Sequence, residues 1–200
     1  MVSYFSQLET LLRLKQPFTA AEARSLGVSA SLLAYYCKQG KIKRICHGVY
    51  EPCGTEINPY FDAEILVKKN IEFSICLLSA LQIHEFTTQL PNTLWIAVPY
   101  GARIPNVGNV ALSCIRLSEV PYSYGVEIRE LYGVPVKVYS AAKTVADCFK
   151  FRNKIGLDVA LEALREGIRG KYFSIPELTA AAKVCRVLKV ITPYVESILE

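Results

Sequence analysis

Long hydrophobic runs and an export signal are both missing from this sequence. No apolar stretch approaches the roughly 18 residues that a membrane span needs, and the N-terminus Met-Val-Ser-Tyr-Phe-Ser-Gln has neither a charged start nor an apolar core. The composition, with 52% hydrophobic and 20% charged residues, is typical of a packed globular protein and excludes a disordered chain. We therefore expect a cytoplasmic protein that does not contact a membrane.

Motifs for metals and nucleotide cofactors are also missing. The seven cysteines are scattered without a Cys-x-x-Cys pair, and such residues in a reducing compartment behave as small buried hydrophobes. Cys46, His47 and Cys53 form the only near cluster, but zinc would need tighter pairing and a second pair of ligands. Gly-x-Gly-x-x-Gly and P-loop patterns are absent. We predict no metal site and no cofactor.

Candidate catalytic residues are few. His84 ends an apolar helix, and Lys143 lies four residues before Asp147, a spacing that an intrahelical ion pair explains. A metal-dependent nuclease would have an acid on one strand and an acid-x-Lys motif on the next. Glu127-Ile-Arg129 comes nearest, with Arg where Lys belongs. We predict no catalytic residue and no enzyme, and the alternative is a DNA-docking enzyme with a nuclease-like C-terminal domain.

The most informative segment that is present spans residues 17–52, where a helix, a tight turn and a second helix precede a basic hairpin. Thr19 and Glu22 have the spacing of a capping box at the start of the first helix, and Gly27 ends that helix. Ser29 is the next N-cap, and Gly40 ends the second helix. This order predicts a winged helix-turn-helix, which most often binds DNA.

The second helix and the hairpin that follows it each have a polar face. By helical spacing Leu33, Tyr36 and Cys37 form an anchoring face, and Ser31, Tyr35 and Lys38 form the opposite one. The hairpin alternates basic and apolar residues and displays Lys41, Lys43, Arg44 and His47, which suit phosphate contacts. Residues 1–53 have a net charge of +4 out of the total +5, so positive charge concentrates on this module.

The rest of the chain predicts a second domain of mixed structure. A helix of about twelve residues, from Tyr4 to Leu14, precedes the helix-turn-helix, and turn residues mark 54–59 as a linker. Helices are predicted over 61–69 and from an N-cap at Ser74 to His84, then strands over 94–98, 110–117, 126–131 and 134–139. Helices follow over 141–149 and 157–169, after a capping box at Ser174, and from Thr192-Pro193 onward. We predict an α+β fold with domains at 1–53 and 60–200, the second with a small mixed β-sheet and helices packed on one side of it.

An ordered set of motifs over nearly the whole chain resembles the AbiEi family of antitoxins. The set comprises the N-terminal module ending in Gly48-Val-Tyr, the segment Ile75-Cys-Leu-Leu-Ser-Ala-Leu-Gln-Ile-His84, the strand Leu94-Trp-Ile-Ala-Val-Pro99 and the segment 136–149 followed by Gly156-Leu-Asp-Val-Ala-Leu-Glu-Ala-Leu. The resemblance implies a repressor that binds double-stranded DNA at its own promoter, as inverted repeats, through the winged helix. It also implies an antitoxin that counteracts a co-encoded nucleotidyltransferase toxin in abortive infection against phage.

The resemblance places the DNA contacts on the second helix and the wing. The implied DNA-binding residues are Ser29, Ser31, Tyr35, Lys38, Lys41, Lys43, Arg44 and His47. The family often has Arg before the Gly of Gly-Val-Tyr, whereas this chain has His47, which makes the wing tip less basic near neutral pH. The antitoxic activity is assigned to the C-terminal domain without named residues. An orphan regulator that has no toxin partner is the other alternative.

Overall fold

A computed structural model describes residues 4–13, 15–55, 58–87, 91–108 and 110–199. The chain forms two compact units. The first unit comprises Met1–Glu72 with Pro105–Val110, and the second comprises Phe73–Ile104 with Ala111–Glu200. The functional domain boundaries expected from the sequence stay a prediction.

The first unit is a three-stranded sheet with helices. Its elements are α1 (Tyr4–Arg13), β1 (Phe18–Thr19), α2 (Ala20–Ser25), α3 (Ala30–Lys38), β2 (Ile42–Cys46), β3 (Val49–Pro52) and α4 (Phe61–Lys68). The strands are antiparallel in the order β1-β3-β2. Its apolar core contains Leu11, Phe18, Val28, Leu33 and Ile42, all nearly inaccessible to water. The predicted winged helix-turn-helix is confirmed, although Leu14 lies outside the described residues.

The second unit has a mixed five-stranded sheet. Its elements are β4 (Ser74–Ile75), α5 (Leu77–Ile83), β5 (Leu94–Pro99), β6 (Leu112–Leu117), α6 (Glu119–Ser123), β7 (Val126–Leu131), β8 (Val134–Tyr139), α7 (Ala141–Lys150), α8 (Arg152–Ile155), α9 (Leu157–Arg169), α10 (Ile175–Cys185) and α11 (Leu188–Leu199). The strand order is β6-β5-β4-β8-β7, with parallel pairs β5-β6 and β4-β8 and antiparallel pairs β4-β5 and β7-β8. This confirms the predicted α+β class with a small mixed sheet.

Helix α7 lies at the centre of the core of the second unit. Every residue from Ala141 to Phe149 is buried, including charged and polar ones. The helix begins as predicted at Ser140, whose hydroxyl accepts a hydrogen bond from the amide of Lys143 at 3.4 Å. It packs against α5, α8, α9, α10 and α11, so its burial depends on five other helices.

Two predicted helix starts are wrong. Ser74 lies in β4 opposite Ala97, because strand pairing uses the segment that was expected to form the first helical turn. Helix α11 begins at Leu188, so Thr192 and Pro193 lie inside it. Burial of Ile191 stabilises the earlier turns, and the Thr192 hydroxyl donates to the Leu188 carbonyl at 2.8 Å. The capping box at Ser174 is confirmed.

No helix within the described part of the chain is both long enough and apolar enough to cross a bilayer.

Candidate nucleic-acid interface

Local hydrogen bonds build the turn between α2 and α3. The Thr19 amide donates to the Glu22 carboxylate at 2.5 Å, and the Glu22 amide donates to the Thr19 hydroxyl at 3.1 Å, which confirms the capping box. Gly27 has a φ of +80°, a conformation that favours glycine, and Val28 is buried directly after it. The start of α2 is therefore fixed by its capping box, and the turn into α3 is fixed by Gly27 and the buried Val28.

Helix α3 has the two faces that its spacing predicts. Leu33 and Tyr36 are 1% and 3% exposed and join the core of the first unit. The side chains of Ser31, Tyr35 and Lys38 are exposed on the other side. The helix is thus anchored along one face and open to a binding partner along the other.

Ser29 and Ser31 occupy the N-terminal end of α3. The Ser29 hydroxyl caps the helix by accepting a hydrogen bond from the Leu32 amide at 3.2 Å. It also lies 2.9 Å from the Ser31 hydroxyl. The first turn of a recognition helix is the part that usually contacts base edges, and a hydroxyl that already makes one hydrogen bond keeps further capacity.

Tyr36 supports two of the exposed side chains. Tyr35 is 52% exposed and packs edge-on against the Tyr36 ring with 5.5 Å between centroids. The Lys41 Nζ lies 5.4 Å from the centre of the same ring. One buried tyrosine therefore holds an aromatic side chain of α3 and a basic side chain at the start of the wing close together.

Strands β2 and β3 form the wing. Lys43 lies opposite Glu51, Arg44 lies opposite Tyr50, and the ladder has a bulge between Arg44 and Cys46. Lys43 and Arg44 are exposed. Burial raises the pKa of Glu51, and the charge of Lys43 opposes that rise. The predicted basic hairpin is therefore confirmed, and its contact with phosphates stays a prediction.

The wing tip is organised by Arg44 and His47. The guanidinium Nη2 of Arg44 lies 3.1 Å from Nδ1 of His47. Because a guanidinium can only donate, Nδ1 is the acceptor of this hydrogen bond. Gly48 completes the turn with a φ of +77°. His47 therefore orients an arginine, which the sequence alone did not indicate.

Helix α4 adds two lysines that the sequence reasoning missed. The Lys69 ammonium, directly after α4, donates to the backbone carbonyl of His47 at 3.0 Å. Lys68 pairs with the capping residue Glu22 at 2.8 Å. Burial acts to raise the pKa of Glu22, but hydrogen bonds from Lys68 and Thr19 outweigh it and the pKa is lowered. The two adjacent lysines, Lys68 and Lys69, are visible in the sequence as basic residues. They lie beyond the predicted linker at 54–59, so the sequence analysis did not consider them together with the wing.

His84, in the second unit, is packed like a structural residue. It is 8% exposed, and its Nε2 donates to the backbone carbonyl of Tyr139 at 2.7 Å. Burial lowers the pKa of the imidazole despite this hydrogen bond. The ring therefore ties the end of α5 to the end of β8 in its neutral form.

The ion pair of Lys143 and Asp147 lies in the core and not at the surface. Both side chains are completely buried in α7 and hydrogen bonded to each other. The Lys143 Nζ lies 4.1 Å from the centre of the Tyr139 ring, and the Cys185 thiol donates to the other carboxylate oxygen of Asp147 at 3.2 Å. Spacing predicted the pair but not its burial.

The nearest approach to a nuclease motif is engaged in an ion pair. Arg129 donates two hydrogen bonds to one Glu127 oxygen, at 2.8 and 3.1 Å. Both side chains line a cavity of about 330 Å³ with Tyr172 and Glu177, and the Glu177 carboxylate caps α10. Among the described residues no group of three or more His, Cys, Asp or Glu side chains could hold a metal ion.

Comparison with known proteins finds a family similarity for part of the first unit. The family described as "Transcriptional regulator, AbiEi antitoxin" matches residues 6–52, which span α2, α3 and the wing. No curated protein matches the chain. The crystal structure of the RV2827C protein from Mycobacterium tuberculosis is similar, with a TM-score of 0.66, 14% identity, and coverage of 94% of this chain and 77% of that one. At this identity the likeness shows the fold alone. The family match confirms the expected resemblance to the AbiEi antitoxins over residues 6–52, the helix-turn-helix and the wing.

Proposed function

We propose that the protein represses its own promoter by binding double-stranded DNA through α3 and the wing. The observation that carries this proposal is the pairing of an anchored face with an exposed one in α3, directly followed by the exposed Lys43 and Arg44. Tyr35 and Lys38 are presented to a groove, and the wing lysine and arginine to the phosphates beside it. The concentration of positive charge in residues 1–53 favours the same partner.

The antitoxin role rests on the resemblance of the chain's motifs to the AbiEi antitoxins. The family that matches residues 6–52 is described as "Transcriptional regulator, AbiEi antitoxin", and we propose that this chain counteracts a co-encoded nucleotidyltransferase toxin through its second unit. We further propose that the protein is not an enzyme. The Glu127 carboxylate, the best nuclease candidate, is held by Arg129 on the same strand and has no acidic neighbour in that motif.

Removal of the two wing charges tests DNA binding. We expect Lys43→Ala with Arg44→Ala to weaken binding to the protein's own promoter. The slope of log K against log salt should become shallower by about 0.9 for each lost phosphate contact. The measurement is a salt titration of binding to promoter DNA.

A charge-matched control separates contact from net charge. Arg165→Ala with Lys189→Ala removes two exposed charges from the second unit and should leave the salt slope unchanged. If the wing variant keeps the affinity and slope of the native protein, the wing does not contact phosphates.

The antitoxin role has its own test. We expect the reading frame beside this gene to encode a nucleotidyltransferase that arrests growth when expressed alone, and co-expression of this chain should restore growth. The wing variant should also restore growth when both genes have heterologous promoters, since repression is then irrelevant. A neighbouring gene of any other kind would favour the orphan regulator.

A further inference from the structure

Strand β7 is an open edge of the five-stranded sheet. It stands last in the strand order, and β8 is its one partner among the described strands. Ile128, at the middle of β7, is 75% exposed. An edge strand with an exposed apolar centre offers unpaired backbone groups to another strand.

The hairpin geometry shows which backbone groups of β7 are open. Leu131 pairs with Val134 across the two-residue turn formed by Tyr132 and Gly133. In such a hairpin the residues that flank the turn form a hydrogen-bonded pair, and alternate residues repeat that pattern. The Ser140 amide donates to the Gly125 carbonyl at 2.7 Å, six residues before Leu131, which agrees with this alternation. The odd-numbered residues therefore direct their backbone groups to β8, and Val126, Ile128 and Glu130 direct theirs outward.

We propose that β7 pairs antiparallel with β7 of a second copy of this chain, with the two-fold axis at Ile128. In this register Ile128 lies opposite itself, and Val126 lies opposite Glu130 of the other copy. All of these residues have outward backbone groups, so the ladder can form without rearrangement. Glu127, which is paired with Arg129 on its own strand, then lies opposite Arg129 of the other copy, and Arg129 lies opposite Glu127. The two pairs within the strands thus form one cluster of four charges of alternating sign.

Charge selects this register over its neighbours. A shift that centres the axis on Glu127 brings two carboxylates face to face, and one that centres it on Arg129 brings two guanidinium groups together. Only the register centred on Ile128 pairs opposite charges twice with near-complete overlap of the strands. Glu127 and Arg129 also occupy non-hydrogen-bonded positions, where opposing side chains are nearest to each other.

The charges also explain why this exposed edge strand does not pair with other strands without selectivity. Charged residues on an edge strand oppose indiscriminate pairing, and here they are self-complementary in one register. A ladder of six residues is a small interface, so we expect a dimer with a dissociation constant of roughly micromolar or weaker. Each dimer would contain two helix-turn-helix units, the number that an operator with two half-sites requires.

Sedimentation of two charge variants tests the pairing. The native protein should show a monomer–dimer equilibrium between about 1 and 200 µM. Glu127→Arg makes both facing positions positive, and Arg129→Glu makes both negative, so each variant alone should be monomeric. An equimolar mixture of the two should form heterodimers, because every facing pair is then opposite in charge. The double variant Glu127→Arg with Arg129→Glu should recover the homodimer.

The control and a second readout make the result decisive. Glu162→Arg, at an exposed position in α9, should leave the equilibrium unchanged. Hydrogen exchange should slow with protein concentration at the amides of Val126, Ile128 and Glu130, and not at those of Glu127 and Arg129. A native protein that sediments as a monomer throughout overturns the proposal, as does a mixture that fails to dimerise. Promoter binding by a monomeric variant would leave the proposed repressor function intact.

Discussion

His47 lies at the wing tip, between β2 and β3, where the resemblance to the AbiEi antitoxins implies an arginine. Its imidazole Nδ1 accepts a hydrogen bond from Arg44, and its carbonyl accepts one from Lys69. The tip therefore has one guanidinium that is held in place, where an arginine at position 47 would add a second positive charge. We infer that the local pairing of Arg44 partly offsets the loss of that charge.

Substitution of His47 by arginine tests this balance. We expect His47→Arg to tighten promoter binding several-fold and to steepen the salt slope by about 0.9, because one more phosphate can be neutralised. Ala180→Arg adds the same charge on an exposed part of α10 and should change the slope little. Equal effects of the two variants would mean that net charge, and not the wing tip, controls binding.

Helix α7 depends on a buried ion pair. Removal of one partner leaves the other charge unpaired in the core, whereas replacement of both by apolar residues removes the desolvation cost as well. Lys143→Met alone should therefore lower the free energy of unfolding by about 3 to 5 kcal/mol, and Lys143→Met with Asp147→Leu by much less. Chemical denaturation of both variants measures the difference.

The surface pair Arg169 and Glu166 provides the control. It has the same charges at helical spacing but is exposed, so Arg169→Met should cost no more than about 1 kcal/mol. If the Lys143→Met variant is as stable as the native protein, an unpaired Asp147 in the core does not destabilise the fold.

The stability of the whole protein should depend on pH through His84. Burial lowers the pKa of its imidazole in the folded state, so the unfolded chain binds a proton first as pH falls. The stabilising contribution is complete above about pH 6.5 and decreases as pH falls from there towards the folded-state pKa. Burial raises the pKa of Glu51, Asp62 and Glu64, which acts in the opposite direction at lower pH.

Substitution of His84 isolates this effect. His84→Gln should make the free energy of unfolding less dependent on pH between 7.5 and 5.5, within the limit of about 1.4 kcal/mol per pH unit for one proton. If His84→Gln keeps the native slope, His84 does not cause it.

The sequence by itself determined the features that depend on neighbours within about four residues. The capping boxes at Thr19 and Ser174, the two faces of α3 and the alternation of the wing were all predictable, because their hydrogen bonds and periods are local. They were sufficient to recognise the winged helix and the class of the fold.

Only the tertiary structure decided which local features meet. Lys69 donates a hydrogen bond to the carbonyl of His47, 22 residues earlier in the chain, and local sequence patterns do not predict a contact over that distance. Ser74 joined a strand instead of capping a helix because Ala97, distant in sequence, pairs with it. The four-residue spacing predicts that Lys143 and Asp147 are neighbours on α7, but their burial results from the helices that pack around α7. Strand order likewise left β7 at an edge. Burial and strand order arise from contacts between distant segments, and no local pattern contains them.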